Sequence, residues 1–502
     1  MTIEAYSNQV EIPGIASVIH EDVLNQATYG NHCELSATTI LAVYNDVTNS
    51  KGMVRIGTRV SDFSIEWGNP VEFSNGSCKH LIPVRISDTK FAIVYVQTND
   101  DDGYIIAGTA AGTVPTLGSE VEFADAVTCT PIGAVLMTTD KVMIAYQDAT
   151  TNQKAVMASM SGTTVTIGTA ATINSTIDSA AYTSLTQLCM HSATLASVAY
   201  RVSATVTEVV TLSLSDTTIT VNTAGKAAFG GSADIRYPSI VALSATAFVV
   251  AYTDVTDTNK GNAQIGTISG TTITAGASEY NFDATNYATR KPSVAVISST
   301  IFAIIYSPNS SSSIYAVVAT VASTVITFGS TLQVAVNNGY NYPYVSPSTP
   351  LCITYTKSGQ LTFSYLGAYL NQFVCGMLSY VSTSVEYVNM CAKIATAGVG
   401  EQVELSSVYL KSNSYGYKVA TDIGQDYTAS LYLNGTLDSN KIYSTSDVYM
   451  STSSVSIREV ARVGMANEPI ILKSGESLYA SVDTFQIGLK KGSCTVFGLK
   501  RS

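Results

Sequence analysis

Leu41-Ala42-Val43-Tyr44, Ala92-Ile93-Val94-Tyr95, Met143-Ile144-Ala145-Tyr146, Ser197-Val198-Ala199-Tyr200, Val249-Val250-Ala251-Tyr252, Ala303-Ile304-Ile305-Tyr306 and Cys352-Ile353-Thr354-Tyr355 are seven versions of one short apolar run ending in tyrosine. Their tyrosines are spaced by 51, 51, 54, 52, 54 and 49 residues. Self-similarity at such a period is the signature of a repeat architecture. Around each run lie further short runs of Val, Ile, Thr and Ala, separated by turn residues such as Thr256-Asp257-Thr258-Asn259-Lys260-Gly261. Four antiparallel strands in about fifty residues describe a β-propeller blade. The reading is an all-β chain in which residues 1–370 form a seven-bladed β-propeller, its strand faces buried between neighbouring blades.

The seventh copy supplies strands around 342–345, 352–355 and 361–365, and the pattern then stops short of a fourth. Thr2-Ile3-Glu4-Ala5-Tyr6-Ser7-Asn8-Gln9-Val10-Glu11-Ile12 is similar to the fourth strand of the first copy, Ser64-Ile65-Glu66-Trp67-Gly68-Asn69-Pro70-Val71-Glu72-Phe73. The expectation is that this N-terminal strand pairs with 361–365 and closes the ring, leaving no unpaired edge.

Residues 371–400 read as a connector, and 401–502 as a β-sandwich of six to eight short strands without the fifty-residue period. Three runs carry a resemblance: Ala429-Ser430-Leu431-Tyr432-Leu433-Asn434-Gly435, Asn467-Glu468-Pro469-Ile470-Ile471-Leu472-Lys473-Ser474-Gly475-Glu476-Ser477-Leu478-Tyr479-Ala480, and Val496-Phe497-Gly498-Leu499. They resemble small β-sandwich modules of tailed-bacteriophage virion proteins, over about the last hundred residues. The resemblance implies a non-enzymatic structural protein of a tail, fibre or capsid surface, assembled in the host cytoplasm with other virion proteins and as a homo-oligomer. Two other classes stay open: a glycan- or receptor-binding propeller lectin for host attachment, and a propeller glycosidase.

Composition narrows these readings. Charged residues are 13% and hydrophobic residues 46% of 502, against disorder and long solvated helices. The net charge is −11, with 15 basic and 26 acidic residues in 1–370 and 11 of each from 371 onward, poor material for gripping a phosphate backbone. No apolar run reaches the ~18 residues of a membrane span, and the first residues lack the basic-then-apolar order of a signal peptide. A soluble protein without nucleic acid or membrane partners is expected. The eight cysteines have no C-x-x-C pair and read as buried free thiols of a reducing compartment.

No catalytic constellation is legible. His20, His32, His80 and His191 lie in no nucleophile or metal motif, and the lone Trp67 has no sialidase-type box around it. Asp46, Asp148 and Asp254, each two residues after a repeat tyrosine, read as turn formers. Asp100 and Asp102 in Thr98-Asn99-Asp100-Asp101-Asp102-Gly103 are the weak candidates for a calcium loop, with a solvated hairpin turn preferred; no metal or cofactor is expected. The binding candidates are Arg236, Tyr237, Tyr287, Arg290, Lys291, Tyr340, Tyr342 and Tyr344, in loops assigned to one propeller face. Tyrosine and arginine suit protein and sugar contacts alike. The plainer alternative is that these tyrosines cover the ring's end while the prolines fix the inner strand.

Overall fold

The computed structural model describes residues 3–12, 17–18, 27–335 except 62–63, 126–128, 149–151, 176–183, 204, 232–233, 258–259, 284–288 and 309–313, and 351–387 except 358–359, 368–371 and 382–383. Nearer the C-terminus it describes 391–396, 402–414, 427–433, 441–445, 458–464, 470–472, 477–484 and 490–501. The described residues are almost entirely antiparallel β-structure, with one three-residue 3-10 turn at Thr223–Gly225. The chain divides into a larger unit, 19–58 with 67–387, and a smaller unit, 1–18 with 59–66 and 388–502.

Each repeat folds into its own sheet, numbered 1 to 7 in chain order. Sheet 2 is representative. Cys78–Ser87, Lys90–Gln97, Gly103–Ala111 and Val114–Leu117 lie side by side in that order, and a fifth short strand, Val121–Ala124, returns to pair with the third. The second strands are buried along almost their whole length, as in Lys90–Gln97 and Ala247–Asp254. That needs apolar side chains on both faces, hence unbroken runs such as Phe91-Ala92-Ile93-Val94-Tyr95 rather than alternation. The fourth strands alternate exposed and buried positions, as edges with one wet face do.

Packing between consecutive sheets supplies the core. One apolar cluster joins Val94 and Ile105 of sheet 2 to Ile144 and Val156 of sheet 3; another joins Val249 and Ile265 of sheet 5 to Ile304 and Val317 of sheet 6. In or just after the fifth strand of one sheet, an aromatic packs on the tyrosine of the next: Phe73 on Tyr95 with centroids 5.0 Å apart, Phe123 on Tyr146 at 5.3 Å, Phe282 on Tyr306 at 5.1 Å, all edge-to-face. This is the physical content of the tyrosine repeat.

Two expectations about the seventh repeat are corrected. Sheet 7 runs Cys352–Lys357, Gln360–Gly367, Gln372–Val381, Ser384–Tyr387, so Cys352-Ile353-Thr354-Tyr355 is its first strand, not its second. The repeat tyrosine is Tyr365, buried like its six counterparts, whereas Tyr355 is 38% exposed. The fourth strand therefore comes from residues read as connector. Residues 3–12 do not pair with 361–365; Ile3–Ile12 lies antiparallel to Lys490–Arg501 in the smaller unit. The strand containing 361–365, Gln360–Gly367, is already paired on both sides, with Cys352–Lys357 and with Gln372–Val381, and has no free edge for another partner. The strand expected at 342–345 lies outside the described residues.

Sheet 1 nevertheless meets sheet 7. His32 of the first strand of sheet 1 bonds Ser364 Oγ through Nδ1 (2.7 Å) and Thr354 Oγ1 through Nε2 (3.0 Å), and Thr356 Oγ1 donates to Glu34 Oε1 (3.1 Å). Phe373 fills the place a side chain would take at Gly30, where a Cβ would stand 2.2 Å from the ring. The first strands of consecutive sheets are neighbours all along the unit, and that of sheet 7 neighbours that of sheet 1.

The smaller unit holds two antiparallel sheets. One orders Ile3–Ile12, Lys490–Arg501, Gln402–Ser414 and Arg458–Gly464, with Ile470–Leu472 also on Gln402–Ser414; the other orders Cys391–Thr396, Ser477–Thr484, Tyr427–Leu433 and Lys441–Thr445.

Candidate functional site

The first strands carry a repeated irregularity. Pairing with the second strand slips between Ala27 and Gly30, Lys79 and Ile82, Pro131 and Gly133, Arg236 and Ser239, and Arg290 and Ser293. Each slip is a β-bulge, which re-aims a side chain. Tyr29, His80, Tyr237 and Lys291 lie in the bulges and Pro131 borders its own, each fifteen residues before its repeat tyrosine. His80, Tyr237 and Lys291 hold left-handed backbone there, at φ 55°, 54° and 49°. For a non-glycine residue this costs about 1–3 kcal/mol, sustained only where the surroundings over-determine it.

Two expected binding residues come together at these bulges. Lys291 is 5% exposed and its Nζ lies 5.9 Å from the Tyr237 ring centroid; Tyr237 is 8% exposed. A cation over an aromatic face offsets part of the desolvation of the ammonium. Arg236 turns to an ion pair instead: Asp234 sits between two guanidiniums, accepting from Arg236 Nη2 (2.9 Å) and bridging Arg201 Nη2 (2.9 Å). Arg290 stands on the strand beside Lys291, opposite Ser307. Tyr287, Tyr340, Tyr342 and Tyr344 lie outside the described residues.

His80 is the member that motif reading passed over. It is half-buried, and its Nδ1 is buried with no hydrogen-bond partner among the described residues. Burial first, then the ammonium groups of Lys79 and Lys291, lower its pKa to about 4, against a smaller opposing effect of Asp101. Lys79 is held by Asp101, and Lys291, whose ammonium also acts on His80, stands on the first strand of sheet 6. The signal for His80 was its offset from Tyr95, the same as that of Lys291 from Tyr306.

A stability prediction follows. Above about pH 6.5 His80 is neutral in both folded and unfolded chains. Between about 6.5 and about 4 only the unfolded chain binds the proton, so stability falls as pH drops through that window. His191, also lowered by burial, acts in the same direction. His80→Asn, which tolerates left-handed backbone, should flatten the decline of melting temperature across this range. An unchanged slope contradicts the assignment.

The other candidates have structural employment. His191 Nε2 bonds Ser197 Oγ (2.9 Å). Asp46 Oδ1 accepts the Thr48 amide (2.9 Å), and Asp254 Oδ1 accepts those of Thr256 (2.9 Å) and Asp257 (3.1 Å), turn roles as expected; Asp148 pairs with Lys154. Asp100 Oδ1 accepts the Asp102 amide (3.1 Å) and Oδ2 accepts Tyr104 Oη (3.1 Å), a hairpin turn. Asp102 lies with Glu122 and Asp125, their carboxylate oxygens within 4.8 Å of one another; neighbouring carboxylates and burial raise the Glu122 pKa, burial leading.

Cys33, Cys78, Cys129, Cys189 and Cys352 are free thiols, all with pKa raised by burial, Cys78 and Cys352 to about 12. Thiolate is the nucleophile, so native protein should react with a thiol reagent at mildly alkaline pH far more slowly than denatured protein. Fast native labelling at any of the five, located by peptide mapping, contradicts this.

No protein-family model and no curated protein matches the chain. Among solved structures it is similar to the Aleuria aurantia lectin in complex with α-methyl-L-fucoside, at 9% identity and a TM-score of 0.37, over 71% of this chain and 94% of that one. The β-propeller domain of the Trilobed protease from Pyrococcus furiosus gives 8% and 0.40, over 73% and 99%. The Hadza microbial sialidase gives 8% and 0.43, over 74% and 69%.

Proposed function

We propose that the larger unit is a seven-bladed β-propeller closed by sheet 1 against sheet 7, and that it is a non-catalytic binding module for a glycan or glycan-bearing receptor. The observation that carries this reading is the bulge position shared by Tyr237, Lys291 and His80, at which Lys291 Nζ lies 5.9 Å from the Tyr237 ring centroid. The three stand at one repeat position, on inner strands, in strained backbone that the Pro131 bulge of sheet 3 does without. Strained backbone that sets an aromatic face against an ammonium, at a position that elsewhere in the repeat carries an imidazole, resembles a preorganised recognition site. Binding is favoured over turnover because the histidines His32 and His191, the turn aspartates and the buried thiols are already engaged. The smaller unit's resemblance supplies the setting of the proposal: host attachment by a virion protein, with the two sheets of that unit as a sandwich serving assembly with other virion proteins.

A glycan array probed with the full chain, followed by product analysis on every hit, tests this. Saturable binding with the glycan recovered unchanged is the expected result. Cleavage of a hit makes the protein a glycosidase, and an array without hits removes the carbohydrate reading.

A further inference from the structure

Asn75-Gly76 is one of three Asn-Gly pairs in the chain, with Asn338-Gly339 and Asn434-Gly435, and the one that lies among the described residues. It sits in the short link between Val71–Ser74, the last strand of sheet 1, and Cys78–Ser87, the first of sheet 2. The link is held at both ends: Ser74 stands opposite Gly52, and the Cys78 amide donates to Asn45 Oδ1 (2.8 Å). Between these ends Asn75 is exposed, and its side-chain amide makes no hydrogen bond among the described residues. Asn31, Asn45 and Asn222, by contrast, each donate through Nδ2, to Leu81 O, Thr28 Oγ1 and Thr211 O. The Gly76 amide makes only a long contact, to Ser74 Oγ at 3.4 Å. Nothing crowds that nitrogen, since a Cβ built on Gly76 would meet no atom nearer than Gln97 Oε1 at 3.4 Å. Asparagine is among the thermolabile residues, and a glycine after it leaves the backbone nitrogen open and free to turn.

We propose that Asn75 is a site of spontaneous covalent modification, through which the chain slowly turns the link between sheets 1 and 2 from amide to acid. The Gly76 nitrogen gives its proton to solvent base and attacks Asn75 Cγ. The N–Cγ bond forms, the Cγ–Nδ2 bond breaks, and Nδ2 takes a proton from solvent and leaves as ammonia. Water then opens the resulting succinimide. Attack at Cγ gives aspartate; attack at the main-chain carbonyl carbon gives isoaspartate, with the chain running on through Cβ and Cγ. One water is consumed and one ammonia released, with no oxidation or reduction. Either product adds a negative charge to a chain already at −11. Isoaspartate also lengthens by one backbone atom a link whose next residues, Ser77 and Cys78, both bond to Asn45 of sheet 1, so the modification acts on the contact between the two sheets.

The test is to hold the full chain at physiological temperature for several weeks at about pH 6 and about pH 8, then fragment the tryptic peptide 60–79 in a mass spectrometer that separates aspartate from isoaspartate. Asn75 is expected to convert to both products, several-fold faster at the higher pH because the attacking nitrogen must lose its proton. Asn69 in the same peptide should stay intact, because Pro70 has no N–H to give. Gly76→Ala, whose methyl group the fold accepts but which hinders the attacking nitrogen, and Asn75→Gln, whose ring closure needs one more atom, should each lose most of the conversion at unchanged melting temperature. Conversion at Asn75 no greater than at Asn45 overturns the proposal, as does conversion undiminished in Gly76→Ala. Conversion in the isolated peptide but not in the folded chain would mean that the fold protects the link, and overturns it equally.

Discussion

Tyr365→Ala is expected to destabilise the larger unit by about 3–5 kcal/mol, the usual range for emptying a large aromatic site, while Tyr355→Ala changes stability by less than about 1 kcal/mol. The two residues lie on the second and first strands of sheet 7. Tyr365 is 2% exposed and stacks 6.1 Å from Phe363; Tyr355 is 38% exposed. Chemical denaturation of both variants, compared at unchanged m-value, measures the difference. Equal losses, or the larger loss at Tyr355, would restore the register in which Tyr355 is the repeat tyrosine and would return the fourth strand of sheet 7 to another part of the chain.

Gly118→Ala should cost about 1–3 kcal/mol although it adds one methyl group. Gly118 follows the fourth strand of sheet 2, and its amide donates to Ala107 O (2.9 Å). A Cβ there would stand 2.1 Å from Thr163 O, in the hairpin turn of sheet 3. The obstacle is backbone, so no rotamer change relieves it; sheet 2 would have to move away from sheet 3. Gly112→Ala is the control for added volume alone, since nothing lies within 4 Å of that position, though its φ of 64° brings its own strain of about 1 kcal/mol. Comparable losses at the two glycines would mean that the contact between sheets 2 and 3 carries no load.

Much of the fold was legible because the repeat is written in residues that solve a packing problem. Runs such as Val249-Val250-Ala251-Tyr252 need apolar side chains on both faces, and the phenylalanine closing one repeat needs the tyrosine of the next. The seventh copy misled for a related reason: Cys352-Ile353-Thr354-Tyr355 has the same pattern as a second strand, and only the next run, Leu361-Thr362-Phe363-Ser364-Tyr365, shows that the pattern occurs twice in one sheet. The closing strand failed because Ile-Glu and Val-Glu similarities describe an edge strand without naming its partner, and the partner lies near the other end of the chain.

The candidate site was half legible. Arg236-Tyr237-Pro238 and Arg290-Lys291-Pro292 stand out by composition, whereas His80 has no motif and becomes visible only when the chain is aligned on its tyrosines. That His32 lies against Ser364 and Thr354 was not readable at all, because 332 and 322 residues separate the partners.

Closure of sheet 1 on sheet 7 is the claim on which ring, inner strands and bulge position all depend, and a double-mutant cycle on His32→Leu and Ser364→Ala tests it most directly. The partners are buried and 2.7 Å apart, so denaturation of the wild type, both single variants and the double variant should give a coupling energy of about 1 kcal/mol or more. Losses that add to within about 0.3 kcal/mol would mean that the two side chains do not meet, and the proposed ring would be wrong.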